Sequence, residues 1–136
     1  MEEKIVAVSG GFDPIHIGHI RYIQEASKLG KVIIIANSDE FLLQKKGTIF
    51  MPLAERIEIL MSIKGVDKVI PAVDKDDTVC ESLRLLKPDI FAKGGDKTID
   101  NTPEWEVCRE LGIEIVFGVG GEKMQSSSWL VNKIRR

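Results

Sequence analysis

Short runs of β-branched, apolar residues alternate with segments of helical period along most of this chain, and that alternation constrains the fold more than any other feature. Lys4 to Val8 reads as a strand buried on both faces, broken by Gly10, Gly11 and Pro14. From Gly18 to Leu29, the residues Ile20, Ile23, Ala26 and Leu29 recur at helical spacing, and Gly30 supplies a helix stop. Lys31 to Ala36 is too short and too β-branched for a helix and predicts a second central strand. The polar Asn37 to Glu40 and a loop carrying Lys45, Lys46 and Gly47 follow it.

Pro52 opens a predicted helix with Leu53, Ile57, Leu60 and Met61 on one face, ended by Gly65. Val66 to Ala72 predicts a shorter strand, which Pro71 assigns to a strand end or a sheet edge. Thr78-x-x-Glu81 matches a capping box ahead of Val79, Leu83 and Leu86, with Pro88 as the stop. Asp89 to Ala92 is a fourth strand, and Thr102-Pro103 predicts an N-cap and first-turn proline for a helix ending near Gly112. Ile113 to Phe117 is a fifth strand, and a closing helix runs from about Ser127 to Ile134. The 136 residues fit one domain, 1–136. The expected class is α/β: a doubly wound, Rossmann-like, five-stranded parallel sheet of order 3-2-1-4-5 with helices on both faces. In such sheets ligands bind beyond the carboxyl ends of the strands, where the strand order switches.

The polar motifs obey that rule, since each falls after a strand. His16-Ile17-Gly18-His19 stands where the first strand hands over to a helix, and these are the only two histidines in the chain. Helix-start N–H groups and the helix dipole favour an anion there, and Gly18 lets a phosphate approach the backbone. One histidine at a helix start is ordinarily a cap or a surface residue; the pair, behind Gly10-Gly11-Phe12-Asp13, favours a phosphate site.

Composition narrows the partners. Charged residues make up 29% of the chain at a net charge of −2, with no basic stripe, so nucleic acid is not expected. No apolar run reaches the ~20 residues of a membrane span, and Met1-Glu2-Glu3-Lys4 lacks a signal-peptide pattern, so the expectation is a cytoplasmic protein away from membranes. Cys80 and Cys108 have neither metal-site nor redox spacing and are expected as buried or half-buried thiols on amphipathic helices.

Gly11-Phe12-Asp13-x-x-His16-x-Gly18-His19 resembles the nucleotide-binding signature of the cytidylyltransferase-like nucleotidyltransferases, and the resemblance spans essentially the full chain. Asn37-Ser38-Asp39, Lys46-Gly47, Pro52 to Arg56 and Lys87 to Asp96 are similar to the adenylyltransferase that makes ADP-heptose. Asp39 to Lys45 and Val66 to Pro71 are equally similar to glycerol-3-phosphate cytidylyltransferases. The resemblance implies an enzyme that moves NMP from an NTP, ATP before CTP, to a small phosphate monoester, by in-line attack with release of pyrophosphate. The acceptor stays open among a sugar 1-phosphate, glycerol 3-phosphate, another alcohol phosphate and a flavin mononucleotide.

It further implies catalytic roles for His16, His19 and Lys46, and nucleotide contacts from Gly10, Gly11, Phe12, Gly18, Gly94 and Asp96. Ser126, Ser127 and Ser128 take the place of a Ser/Thr run that holds the β- and γ-phosphates in relatives, although three serines are also an ordinary helix cap. Asp96 is expected on the ribose hydroxyls, with an ordinary Gly-Gly-Asp turn as the bland alternative. Arg56, Lys45 and Lys123 are candidates for the acceptor's phosphate, with a surface ion pair as the competing role for Arg56. Asp13 is expected to orient the loop through side-chain to backbone hydrogen bonds. Mg²⁺ is expected as the NTP's own cation, without a protein metal site.

Relatives often carry a basic residue five positions before the first serine, where this chain has Gly121; Lys123 is the nearest substitute. Trp105 and Trp129 fit either core or subunit contact, which leaves a homodimer open. Two other classes remain in view. Class I aminoacyl-tRNA synthetases share His-x-Gly-His, and Lys123 to Ser127 echoes their second signature, but a 136-residue acidic chain has no room for tRNA-binding apparatus. A catalytically weak or inactive nucleotide-binding module is the alternative that Gly121 favours.

Overall fold

The computed structural model describes residues 3–95 and 102–121. In chain order the elements are β1 (Ile5–Gly10), α1 (Ile17–Ser27), β2 (Lys31–Ala36), α2 (Asp39–Lys46), α3 (Leu53–Met61), β3 (Val66–Pro71), α4 (Cys80–Leu86), β4 (Ile90–Gly94), α5 (Trp105–Leu111) and β5 (Glu114–Val119). The strands form one parallel sheet in the order β3-β2-β1-β4-β5. The expected architecture is therefore the observed one, with Pro71 on the edge strand β3, where its missing N–H does no harm.

Strand alternation explains why both faces are covered. Val6, Val8, Val32 and Ile34 turn to one face, where Ile23 and Ala26 of α1 and Leu60 of α3 pack on them. Ala7, Ile35 and Phe91 turn to the other, against Leu83 of α4 and Cys108 of α5. Central strands sandwiched this way have to be apolar at successive positions, as Val32 to Ala36 are. The chain changes face between β3 and β4, so the switch in strand order lies between β1 and β4.

Several boundaries depart from the sequence-based expectation. β1 runs two residues further than Val8, because its register with β2 continues to Gly10 opposite Ala36. α1 is capped by Lys28, and Gly30 serves clearance: a Cβ there would lie 2.2 Å from the Lys4 carbonyl oxygen. The segment expected as a loop around Lys45 and Lys46 is the helix α2, with the Ser38 hydroxyl accepting from Phe41 N–H at 3.1 Å and Gly47 left-handed at its end (φ 79°).

The Thr78-x-x-Glu81 capping box does not form. Asp74, reaching over from the loop after β3, accepts from Glu81 N–H at 2.7 Å, Ser82 N–H at 3.1 Å and the Ser82 hydroxyl at 2.6 Å. The buried Glu104 takes Val79 N–H at 3.0 Å. A carboxylate binds these helix-start amides more strongly than a hydroxyl, and the Thr78 hydroxyl is left with Cys80 N–H at 3.3 Å. α5 begins at Trp105, after a turn closed by Trp105 N–H on the Thr102 carbonyl. Trp105 is half-buried, Cys108 is buried and Cys80 half-buried; burial pushes the Cys108 thiol up to about 11. The closing helix and Trp129 lie outside the described residues.

Candidate active site

The chain leaves β1 through Gly10 and Gly11 and turns at Phe12, a left-handed residue (φ 53°) whose ring is 2% exposed. A Cβ on Gly10 would sit 3.2 Å from that ring, and one on Gly11 3.1 Å from Leu42, so both glycines answer to packing within the chain. The Phe12 side chain is withdrawn into the core, so the nucleotide contact expected of Phe12 falls to its backbone. Its ring instead meets the His19 imidazole edge-on, with centroids 4.9 Å apart.

His16 is the N-cap of α1 and His19 its third residue, and together they form a capping box built from imidazoles. His16 Nδ1 accepts from Gly18 N–H at 3.1 Å, and His19 Nδ1 accepts from His16 N–H at 3.2 Å. His19 N–H closes onto the His16 carbonyl at 3.0 Å. The Gly18 amide expected to greet an anion is thus consumed internally. With Nδ1 an acceptor in each ring, the proton of a neutral imidazole is assigned to Nε2. The rings stack at 3.8 Å between centroids and 21° between planes. Burial, the neighbouring His16 and the Lys46 charge together push His19 down to about 3, so at neutral pH it is an uncharged donor.

Lys46, the last residue of α2, donates to the Asp13 carbonyl at 2.9 Å. Burial lowers its pKa, with Asp13 pulling the other way. Asp13 is 3% exposed, and its carboxylate accepts from Phe50 N–H at 2.8 Å and from Met51 N–H. The expected structural role of Asp13 is the observed one, although its partners are 37 and 38 residues away rather than in its own loop. Lys45 points elsewhere, with Nζ 5.6 Å above the Phe41 ring.

Arg56 requires a correction. It is fully buried, and its guanidinium donates to the carbonyls of Met51 (2.9 Å), Gly11 (2.8 Å) and Asn37 (2.7 Å) and to Asp39 (2.7 Å). It neither meets an acceptor phosphate nor forms a surface pair, because three loops converge on it. Asp39, which also accepts from Leu53 N–H at 2.9 Å, belongs to this cluster and was given no role by the sequence reading. A helix-start acid after a Ser N-cap was the available signal for Asp39; nothing local marked Arg56.

At the far side of the switch point, a Cβ on Gly94 would meet open space, and the Lys93 ammonium stands 4.9 Å over the Phe91 ring. Gly121 is left-handed (φ 75°), a conformation that disfavours the basic residue the resemblance led one to expect there. Asp96, Lys123 and Ser126 to Ser128 lie outside the described residues. Along the same rim, a cleft of about 280 Å³ runs between α2 and the loop before α4, lined by Phe41, Gln44, Lys45, Lys75, Asp76 and Asp77. Among the described residues no group of three or more His, Cys, Asp or Glu is placed to hold a metal ion, and no helix is long and apolar enough to cross a membrane.

The family model of cytidylyltransferase-like proteins matches residues 7–124. The bifunctional protein HldE of Hahella chejuensis is 40% identical over 116 residues, covering 83% of this chain and 24% of that protein. HldE of a Nitratiruptor species is 39% identical over 137 residues, covering 98% of this chain and 28% of its own. The chain therefore spans about a quarter of the length of these curated relatives. The crystal structure of a lipopolysaccharide core biosynthesis protein from Thermoplasma volcanium superposes with a TM-score of 0.69 at 27% identity, covering 85% of this chain and 94% of that one. With the histidine signature at the carboxyl rim of a doubly wound sheet, these matches make the chain a member of the cytidylyltransferase-like family.

Proposed function

We propose that the chain transfers NMP from an NTP, with ATP favoured over CTP, to a small phosphate monoester such as a sugar phosphate or glycerol 3-phosphate. An acceptor phosphate oxygen attacks the α-phosphorus, the bond from that phosphorus to the β-phosphate oxygen breaks, and pyrophosphate leaves. The observation that carries this reading is the stacked His16–His19 pair at the start of α1, with both Nδ1 atoms accepting from backbone N–H groups and His19 held neutral, next to Lys46. Such a reaction asks for positioning and preorganised donors around the α-phosphate, and needs no nucleophile from the protein.

In this mechanism the imidazole pair meets the oxygens on which charge accumulates, with His19 as an uncharged donor, and Lys46 adds a positive charge. His19 acts as a donor throughout, since its depressed basicity keeps it from arriving as imidazolium. Mg²⁺ enters as part of the NTP. The remaining assignments belong to the same proposal: Asp96 to the ribose hydroxyls, Ser126 to Ser128 to the β- and γ-phosphates, and Lys123 to the role of the basic residue replaced at Gly121. The resemblance of Lys87 to Asp96 to the adenylyltransferase that makes ADP-heptose supports ATP and a sugar phosphate over CTP and glycerol 3-phosphate.

Pyrophosphate release, measured with each NTP against heptose 1-phosphate, other sugar 1-phosphates, glycerol 3-phosphate and FMN, tests the proposal. The fastest turnover is expected with ATP and a sugar phosphate. Turnover fastest with CTP and glycerol 3-phosphate, or with ATP and FMN, would replace the substrate assignment. Nucleotide binding without turnover in any pair would favour the inactive module to which Gly121 points.

A further inference from the structure

We infer that Arg56 is a positioning residue for nucleotidyl transfer: its buried guanidinium fixes the histidine loop, the end of β2 and the segment before α3 as one body, and thereby sets where Lys46 and the histidine pair meet the phosphates. The inference rests on the proposed function. Strands β1 and β2 stop pairing after Gly10 and Ala36, and Gly11 and Asn37 are the first residues beyond them. Arg56 Nη1 bridges their two carbonyls at 2.8 and 2.7 Å, holding the strands' exits together at the switch-point rim.

The other arms of the fork reach Lys46 by two routes. Nη2 holds Asp39, the first residue of α2, at 2.7 Å. Nε holds the Met51 carbonyl at 2.9 Å, while Met51 N–H and Phe50 N–H grip the Asp13 carboxylate. Asp13 in turn receives Lys46 Nζ on its carbonyl. Helix α2 is thus tied at its first residue by Arg56 and at its last by Asp13, and both ties pass through segments that Arg56 organises. An apolar side chain could fill the same volume, and buried ion pairs are often replaceable in that way without loss of stability. A planar fork of five N–H groups is what satisfies four separate acceptors, and a lysine cannot reproduce it.

The test compares Arg56→Ala, Arg56→Lys and Asp39→Asn with wild type. For Arg56→Ala, kcat is expected to fall about 100-fold, the scale of an ångström-level misplacement, with the nucleotide KM little changed. Guanidinium at non-denaturing concentration restores kcat, methylammonium does not, and Arg56→Lys stays low. The His16 and His19 imidazole NMR signals shift in Arg56→Ala and return with guanidinium, a readout that does not need turnover. If the Arg56 variants do not fold, Asp39→Asn, which keeps Oδ1 for Leu53 N–H but removes the charge that pairs with the Arg56 guanidinium, is expected to lower kcat at unchanged nucleotide KM and to shift the same signals. A folded variant with wild-type kcat or unmoved imidazole signals overturns the inference, as does guanidinium that restores the melting temperature but neither the kcat nor the signals. Absence of turnover in wild type overturns the proposed function alone, and the imidazole signals still decide the role of Arg56.

Discussion

Replacing His19 by Gln should remove a specific pH dependence of stability. In the folded chain burial, His16 and Lys46 hold His19 neutral down to about pH 3, whereas the unfolded chain protonates it near 6.5. Between those values the unfolded state binds the extra proton. The His19 contribution to stability is therefore complete above pH 6.5 and is lost progressively as the pH falls toward 3. One proton corresponds to about 1.4 kcal/mol per pH unit, so by pH 5 the folded state has lost about 2 kcal/mol relative to pH 8.

Gln at the third helical position can still reach back to the His16 N–H, as a capping box requires, but does not titrate. Urea unfolding of both proteins at pH 8 and pH 5 gives the double difference, in which the acids common to both cancel. The expected result is a stability gap between the proteins that changes by about 2 kcal/mol over that range, in the direction that costs the wild type at pH 5. Parallel profiles, or a His19 imidazole signal that titrates near pH 6 in the folded protein, would refute the reasoning.

Three further outcomes follow from the geometry. His19→Ala should lower kcat by about 10²–10³-fold, the cost of one preorganised donor, with the circular dichroism spectrum unchanged. Asp74→Ala leaves the first amides of α4 without their carboxylate and should cost about 1–2 kcal/mol in urea unfolding, while Thr78→Ala, outside the Asp74 cap, should cost less. Gly30→Ala places a methyl against the Lys4 carbonyl and should destabilise by about 1–3 kcal/mol, read as a lower midpoint in the same experiment.

The sheet was legible because each central strand is a short apolar run closed by turn residues, and the order follows from βαβ handedness. Helix α2 was not, because Phe41, Leu42 and Leu43 are adjacent rather than spaced at helical intervals and only Leu42 is buried. Its ends were legible: Ser38 and Gly47 are ordinary start and stop signals. Thr78 misled because its hydroxyl is donated to Asp76, while Asp74 of the same loop takes the amides of Glu81 and Ser82. The histidines announced themselves by spacing and by their place after β1. The use of their Nδ1 atoms as caps, and the burial that keeps His19 uncharged, depend on the folded backbone. Arg56 was misplaced for a related reason. An arginine on an amphipathic helix ordinarily reaches solvent, and only the convergence of Gly11, Asn37, Asp39 and Met51 from separate segments makes a buried site for it.

The central claim, that this rim moves a nucleotidyl group, is tested most directly by following the α-phosphorus. With NTP labelled at that atom and the panel of phosphate monoesters, the account predicts that one pair yields a labelled, diphosphate-linked product and an equal amount of pyrophosphate. A chain that binds the nucleotide yet passes the label to none of the acceptors would contradict it.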